Sequence, residues 1–221
     1  MTIRRSLHLE TQARHLLFRA IYSQLARWRL RIRGARVGAG FRCYGWLNLH
    51  VHDTAQVIIG DHVRINSGFA LNPVGGSQRT GIWVGRNAVL RIEDHVGISN
   101  CTIVCANRVH IESHVFVGGG VSIYDTDFHA LAARSRVEHD PSATRTAPVV
   151  VGSRSFIGGH AIILKGSSIG AEAIIGAGAL VAGTVPAGEV WAGNPARFVK
   201  KIQPAAQYSA EMMQAQGQAG E

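Results

Sequence analysis

His129 stands just past two carboxylates, at the end of the segment Asp125-Thr126-Asp127-Phe128-His129. Histidine is the most frequent general base in enzymes, and a carboxylate that holds one ring nitrogen leaves the other free to accept a proton. The grouping therefore suits general-base catalysis by His129. An ordinary loop histidine would fit the same segment, and His139, further along the chain, is a weaker candidate for the base.

Four other histidines share one position, three residues after an aliphatic residue that is expected to face inward. They are His62, His95, His114 and His160, and Asn87 occupies the same position after Val84. Histidine is the commonest metal ligand, but Asn, Asp and His are also the non-glycine residues most enriched at positive φ. We interpret these residues as corners of a coil, because the sequence indicates no third ligand for a zinc site. The spacing of His95 and His114, one coil plus one residue, allows a stacked pair.

The element that must position these residues is a six-residue repeat. Between Val149 and Val181 an aliphatic residue recurs at every sixth position, at Val151, Ile157, Ile163, Ile169, Ile175 and Val181. A helix repeats apolar residues every three or four positions and a strand every two, so neither explains a period of six. Six residues make one short strand and one turn, and three such units close a triangular coil. The sequence therefore predicts an all-β solenoid, a parallel β-helix of hexapeptide repeats.

Two segments interrupt the repeat, and each is predicted to be a loop that projects from a corner. Residues 66–82 contain Pro73 and several glycines, and residues 124–148 are polar and charged. Long excursions from a regular scaffold are more often functional than decorative.

We divide the chain into a basic amphipathic helix at 1–33, the β-helix at 34–185 and a C-terminal extension at 186–221.

The net charge of +9 is concentrated at the N-terminus, where residues 1–36 hold nine arginines against the single acid Glu10. Residues 8–33 are predicted to be a helix that ends at Gly34, with one apolar stripe formed by Leu17, Ile21, Leu25, Trp28 and Ile32. The helix could cover the open end of the solenoid, or it could make a peripheral contact with an anionic membrane through residues 1–36. No nucleic-acid partner is expected, because no aromatic platform or known reader motif accompanies the arginines.

Cysteine usage and hydropathy favour a cytoplasmic protein, or one at the inner face of the membrane. Cys43, Cys101 and Cys105 are odd in number and lack zinc-type spacing, which is typical of reduced thiols. No signal peptide is visible, and no apolar run approaches the ~20 residues that cross a bilayer.

Three segments resemble the left-handed β-helix, hexapeptide-repeat acyltransferases. They are IYDTDFH from Ile123 to His129, FIGGHAIILKGSSIGAEAIIGAGALV, and WAGNPARFVKKI from Trp191 to Ile202. The resemblance covers roughly residues 34–202. It is closest to the saccharide O-acetyltransferases of surface polysaccharide assembly and their relatives, the maltose and galactoside acetyltransferases. It implies left-handed coils, against the general preference for right-handed crossovers, and a homotrimer with acetyl-CoA in the groove between neighbouring solenoids.

The resemblance also implies roles for individual residues. His129 would deprotonate the acceptor hydroxyl, with Asp127 or Asp125 as its orienting partner. The residues implied at the acetyl-CoA groove are Gly159, His160, Lys165, Ala177, Trp191, Arg197, Lys200 and Lys201. The cationic side chains among them would meet CoA phosphates, or are solvated surface charges, and a backbone N–H of Gly158-Gly159 could stabilise an oxyanion. The family commonly has Asn or a small residue where this chain has His160.

The predicted function is acetyl-CoA-dependent O-acetyl transfer to a saccharide hydroxyl, of a surface polysaccharide or its lipid-linked precursor, by direct attack on the thioester and without a metal. One alternative is a non-catalytic β-helix scaffold, which would not bind CoA. A second is a transferase with a non-sugar acceptor, and a third is a γ-type carbonic anhydrase, which uses the same solenoid with three zinc-binding histidines.

Overall fold

The computed structural model describes residues 18–70 and 72–203. Within them, helix α1 over residues 18–31 precedes twelve short strands: β1 (Arg36–Val37), β2 (Arg42–Tyr44), β3 (Asn48–Val51), β4 (Gln56–Ile59), β5 (Arg64–Asn66), β6 (Gly81–Val84), β7 (Val89–Ile92), β8 (Gly97–Ser99), β9 (Thr102–Cys105), β10 (Arg108–Ile111), β11 (Phe116–Val117) and β12 (Ser122–Tyr124). Helix α2 (Ala133–Val137) and a 3₁₀ turn (Pro141–Ala143) interrupt the series. It resumes with β13 (Val149–Val151), β14 (Phe156–Ile157), β15 (Ile162–Ile163), β16 (Ser168–Ile169), β17 (Ile174–Ile175), β18 (Leu180–Val181), β19 (Thr184–Val185), β20 (Glu189–Ala192) and β21 (Arg197–Lys201).

The strands form three parallel sheets, and successive strands visit the sheets in turn. The first sheet has the order β1-β4-β7-β10-β13-β16-β19, the second β2-β5-β8-β11-β14-β17-β20-β21, and the third β3-β6-β9-β12-β15-β18. Every pair is parallel except β20 with β21, which is antiparallel. The predicted all-β solenoid is confirmed: the fold is a left-handed parallel β-helix.

The six-residue period reflects stacked columns of inward-facing aliphatic residues. One column in the first sheet is in register through six coils and is buried throughout: Ile59, Ile92, Ile111, Val151, Ile169 and Val185. Burying one such side chain contributes roughly 1.5–3 kcal/mol, so the columns are the main source of stability. A break in the period therefore marks a place where the chain leaves the core.

The corners of the coils confirm the interpretation of the histidines. His62, His95, His114 and His160 have φ between 56° and 62°, and Asn87 has φ 56°. His62, His95 and His114 occupy the first corner, between the first and second sheets, and their rings stack at centroid distances of 5.0 and 4.8 Å. The predicted pair of His95 and His114 is thus extended by a third ring.

Helix α1 is terminated, as predicted, by Gly34, which follows its last turn and has φ +78°. The N–H of Gly34 donates to the Arg31 carbonyl and that of Ala35 to the Leu30 carbonyl, which is the Schellman arrangement. The part of the predicted helix before residue 18 lies outside the described residues, as does the tail after Gln203.

Helix α1 packs on the first coil, but not through the predicted stripe. Its packed face is formed by Ala26 and Leu30, which are buried, and by Ser23, whose hydroxyl accepts the Cys43 N–H at 3.0 Å. Arg27 and Arg29 donate to the carbonyls of Gly38 and Leu47, which belong to the first coil. Small residues and hydrogen-bonding side chains suit a close approach to the polar end of a solenoid, whereas Ile21, Trp28 and Ile32 of the stripe are exposed.

Candidate active site

The third strand of the fourth coil, β12, ends at Tyr124, and the chain leaves the solenoid there at the third corner. Asp125 anchors this departure because its side chain is fully buried and both oxygens are occupied. Oδ1 accepts the Ala106 N–H at 2.6 Å, and Oδ2 accepts the Asn107 N–H at 2.8 Å. A buried carboxylate with two backbone donors is well satisfied and holds the loop on the solenoid. Asp125 therefore faces backbone amides rather than an imidazole.

Asp127 lies one turn further along and faces a lysine of the next coil. Its Oδ2 is 3.4 Å from Nζ of Lys165, which follows β15 at the same corner. This oxygen is buried and accepts no hydrogen bond among the described residues, so the ion pair is its compensation. Lys165, expected at the CoA phosphates, is thus placed beside the loop that carries His129.

His129 is exposed at the turn that follows. Its backbone N–H donates to the Asp127 carbonyl at 2.7 Å, and the preceding Phe128 has φ +62° and packs its ring edge-on against Tyr124. A non-glycine residue at positive φ is a strained conformation that tends to occur at functional turns. Within the described part of the chain the imidazole of His129 has no hydrogen-bond partner. Neither carboxylate of the segment is paired with this ring in the structure.

The ring of His129 opens onto a small cavity of 150 Å³. The cavity is also lined by Phe128, Arg136, His139 and Thr144, so the polar loop folds back beside the predicted base. Helix α2 supplies Arg136, whose guanidinium donates to the Ala130 carbonyl and fixes the loop. A cavity with two imidazoles, a guanidinium and a hydroxyl can hold a polar group against His129.

The second corner, between the second and third sheets, presents a row of unpaired backbone donors. The N–H groups of Gly119, Gly159 and Ala177 occupy equivalent positions in three successive coils, and none donates a hydrogen bond to another described residue. On the first corner, the N–H groups of Asp61 and Ser153 are capped by the carboxylates of Asp94 and Glu112, whereas that of Ala171 is also unpaired among the described residues. Free N–H groups in a row are suited to bind carbonyl oxygens of an extended ligand.

The loop at residues 66–82 lies against this row. Asn100, which is buried, donates to the carbonyls of Asn72 and Val74 at 2.7 and 3.0 Å, and its Oδ1 accepts the Gly68 N–H at 2.7 Å. Val74 consequently packs so close to Gly119 that a Cβ at that position would overlap the Val74 carbonyl. His160 is the next corner residue after Gly159, and its ring lies over Gly120.

The remaining candidates for the cofactor groove lie on the last two strands. Trp191 on β20 packs partly against the core and donates its indole N–H to Glu189 at 2.9 Å. Arg197, Lys200 and Lys201 lie exposed on β21, which pairs with β20 and extends the second sheet. Gly176, next to Ala177, donates its N–H to the Trp191 carbonyl at 2.8 Å, so the basic strand adjoins the end of the N–H row.

The described cysteines are not activated nucleophiles. Burial raises the pKa of Cys43 and of Cys105 to about 12, and raises that of the fully buried Cys101 as well. All three are therefore protonated near neutral pH and hold no thiolate for covalent catalysis. Among the described residues, no group of three or more His, Cys, Asp or Glu side chains is arranged to hold a metal ion.

No family model matches the chain. It is 33% identical over 103 residues to the "putative acetyltransferase YJL218W" of Saccharomyces cerevisiae, which covers 47% of this chain and 50% of that protein. It is 43% identical over 70 residues to the 2,3,4,5-tetrahydropyridine-2,6-dicarboxylate N-acetyltransferase of Staphylococcus aureus, covering 32% of this chain and 28% of that enzyme. The chain thus matches half or less of the length of these curated relatives.

Among solved structures, the chain resembles AntD, an N-acyltransferase from Bacillus cereus, in complex with dTDP and 3-hydroxybutyryl-CoA. The TM-score is 0.62 at 17% identity, over 86% of this chain and 96% of that one. At this identity the likeness shows the fold. The resemblance to the acyltransferases of this fold agrees with the curated relatives, whose names are those of acetyltransferases.

Proposed function

We propose that this chain is an acetyl-CoA-dependent O-acetyltransferase whose acceptor is a saccharide hydroxyl. The observation that carries the proposal is the imidazole of His129, which is unpaired among the described residues, follows a residue at positive φ and lines a polar cavity. Support for the donor comes from AntD, which was solved with CoA ligands, and support for the acceptor from its dTDP ligand and from a related complex that holds dTDP-4-amino-4,6-dideoxyglucose.

The reaction would need one general base and one oxyanion site. The imidazole of His129 takes the proton of the acceptor hydroxyl as its oxygen attacks the thioester carbonyl carbon, and the CoA sulfur leaves with the electron pair of the C–S bond. A positioned base typically contributes about 10²–10⁴-fold to the rate. A backbone N–H such as that of Gly159 would stabilise the oxyanion of the tetrahedral intermediate. The imidazolium then returns the proton to the CoA sulfur, so the ester and the free thiol of CoA are the products.

The cofactor would lie along the second corner. The N–H groups of Gly119, Gly159 and Ala177 would donate to the amide carbonyls of the pantetheine arm. Arg197, Lys200 and Lys201, on the adjoining strand, would meet the phosphates, and Trp191 would flank the adenine. His160, which projects from the same corner, would border the groove, whereas Lys165 would hold the catalytic loop through Asp127.

This arrangement also favours a homotrimer. The loop that carries His129 departs from the solenoid at the third corner, and the N–H row lies at the second corner. Within one subunit, the strands of the third sheet therefore separate His129 from the N–H row. A neighbouring solenoid packed against that sheet would bring its own N–H row to the first subunit's His129. Assembly around a threefold axis would then complete three equivalent sites.

The deciding experiment follows free thiol release from acetyl-CoA with a panel of sugar acceptors. We expect sugar-dependent release that falls about 10²–10⁴-fold in His129→Ala while CoA binding by calorimetry is retained. His95→Asn is the matched control, because Asn87 shows that Asn adopts the same corner conformation. Activity of His129→Ala equal to that of the parent would show that His129 is not the general base, and His160 would be the next candidate.

The alternatives predict different results when the acceptor panel is widened to amines and hydroxy acids and when bound zinc and CO₂ hydration are measured. A scaffold would give neither CoA binding nor release, and a transferase with a non-sugar acceptor would give release only with amines or small hydroxy acids. A γ-type carbonic anhydrase would copurify with zinc and hydrate CO₂.

A further inference from the structure

Helix α1 has a second face, which points away from the solenoid and is apolar. Phe18, Ile21, Leu25, Trp28 and Ile32 recur at intervals of three and four residues and form one stripe, of which Leu25 is half-buried. Phe18, Ile21, Trp28 and Ile32 are 53, 52, 58 and 58% exposed. The packed face, built on Ala26 and Leu30, is complete without them. An apolar stripe that the fold does not use marks a contact surface.

The apolar surface continues from the helix onto the neighbouring loop. A cavity of 470 Å³ between α1 and the loop at 66–82 is lined by Phe18, Tyr22, Trp46 and Phe69, and Phe69 is 62% exposed. Two basic residues, Arg19 and Arg79, line the same cavity. The stripe thus ends in an apolar recess with cationic groups at its border.

The charges around the apolar stripe of helix α1 indicate which partner binds it. Residues 18–36 contain six arginines and no acidic residue. Arg27 and Arg29 donate to carbonyls of the first coil, and Arg19, Arg31 and Arg36 are exposed. A large apolar face bordered by arginines is the pattern of a helix that lies in the interface of an anionic bilayer. A second copy of the same helix would instead bring its own exposed arginines against the first set, which is repulsive. Charge complementarity therefore favours lipid over self-association.

We propose that helix α1 docks the protein on an anionic lipid surface. The stripe would enter the boundary between headgroups and acyl chains, Trp28 would sit at the depth that indoles prefer, and the arginines would contact lipid phosphates. The helix would lie parallel to the bilayer, because its exposed apolar residues form a stripe along one side. No helix among the described residues is long and apolar enough to span a membrane. The loop at 66–82, which carries Phe69, would then face the lipid. The proposal does not depend on the transferase activity.

The test is flotation of the full chain with vesicles of equal parts phosphatidylglycerol and phosphatidylcholine, and with vesicles of phosphatidylcholine alone. We expect binding to the mixed vesicles that falls about tenfold or more in Trp28→Glu/Ile32→Glu. Arg31→Gln/Arg36→Gln should weaken binding to the mixed vesicles as well. Phe116→Glu is the matched control, because Phe116 is 53% exposed on the outer face of the second sheet.

Three results would overturn the proposal. The first is unchanged vesicle binding in the Trp28/Ile32 variant. The second is equal binding of the unmodified chain to vesicles of phosphatidylcholine alone, which would show that binding does not require anionic lipid. The third is a lower oligomeric mass of that variant by light scattering, which would show that the stripe packs against a second copy. Thiol release from acetyl-CoA in detergent-free buffer is measured in parallel, so a failure of the transferase proposal is seen separately.

Discussion

Nζ of Lys165 lies 3.4 Å from Oδ2 of Asp127, and this ion pair joins the fifth coil to the loop that carries His129. Both side chains are less than a third exposed, at 28 and 23%, so solvent screens the pair less than it screens a surface pair. Because the backbone carbonyl of Asp127 accepts the N–H of His129, a shift of Asp127 moves the predicted base directly.

Removing either partner of this pair should lower turnover without weakening CoA binding. We expect kcat to fall about tenfold in Lys165→Met and in Asp127→Asn, which corresponds to about 1.4 kcal/mol. The double variant should lose no more than either single variant, because both changes remove one interaction. A rise in the Kd for CoA in Lys165→Met, with kcat unchanged, would instead place Lys165 at the cofactor phosphates. Arg64→Met is the control for loss of a cation at an exposed position, on the outer face of the second sheet.

Asp125 should contribute mainly to stability. Its replacement by Ala removes the two hydrogen bonds that the buried carboxylate accepts, which costs about 2–4 kcal/mol and lowers the melting temperature by about 4–16 °C for a chain of this size. Asp140→Ala, a change in the exposed part of the same loop, should shift the melting temperature far less. Thermal unfolding monitored by circular dichroism measures both. An Asp125→Ala protein that melts with the parent but loses turnover would show that Asp125 acts on His129 after all.

Much of this fold was predictable because the buried residues that stabilise it recur in the sequence with the same six-residue period as the coils. Inward residues recur every sixth position, and the corner histidines follow from the conformational preference of their position. The hand of the coil does not follow from periodicity, since a six-residue repeat is compatible with either hand; the resemblance supplied it. The outward direction of Trp28 and Ile32 could not be predicted either, because an apolar stripe on a helix does not say what covers it.

The candidate site was predictable only in part. His129 stood out because it lies outside the repeat, where the coil cannot account for a histidine. The contact between Lys165 and Asp127 joins residues separated by a long loop, so no local sequence pattern predicts it. The row of free N–H groups was also missed, because backbone donors carry no side-chain signature. The recurrence of Gly119, Gly159 and Ala177 at one corner is the signal that could have indicated it.

Asn100 should control the loop at residues 66–82. Its side chain makes three hydrogen bonds to that loop at a buried position, and its own φ of 44° is one that Asn tolerates better than most residues. Asn100→Ala should therefore cost about 2–4 kcal/mol in unfolding free energy and expose the backbone of the loop. Hydrogen exchange should show faster exchange at residues 68–80 in this variant, with β7 and β10 unchanged. Uniformly faster exchange would mean that Asn100 supports the whole solenoid instead.

The N–H row can be tested by removing a single donor. Ala177 precedes Gly178, whose φ is +68°, so it occupies the turn position that proline favours, and its N–H is unpaired among the described residues. Ala177→Pro removes one donor and should raise the Kd for CoA about fivefold, the value of one hydrogen bond of about 1 kcal/mol. Ala171→Pro is the matched control, since Ala171 precedes Glu172 at φ 61° on the first corner. Equal CoA affinity of the two variants, measured by calorimetry on proteins with the same melting temperature, would show that the cofactor does not use this row.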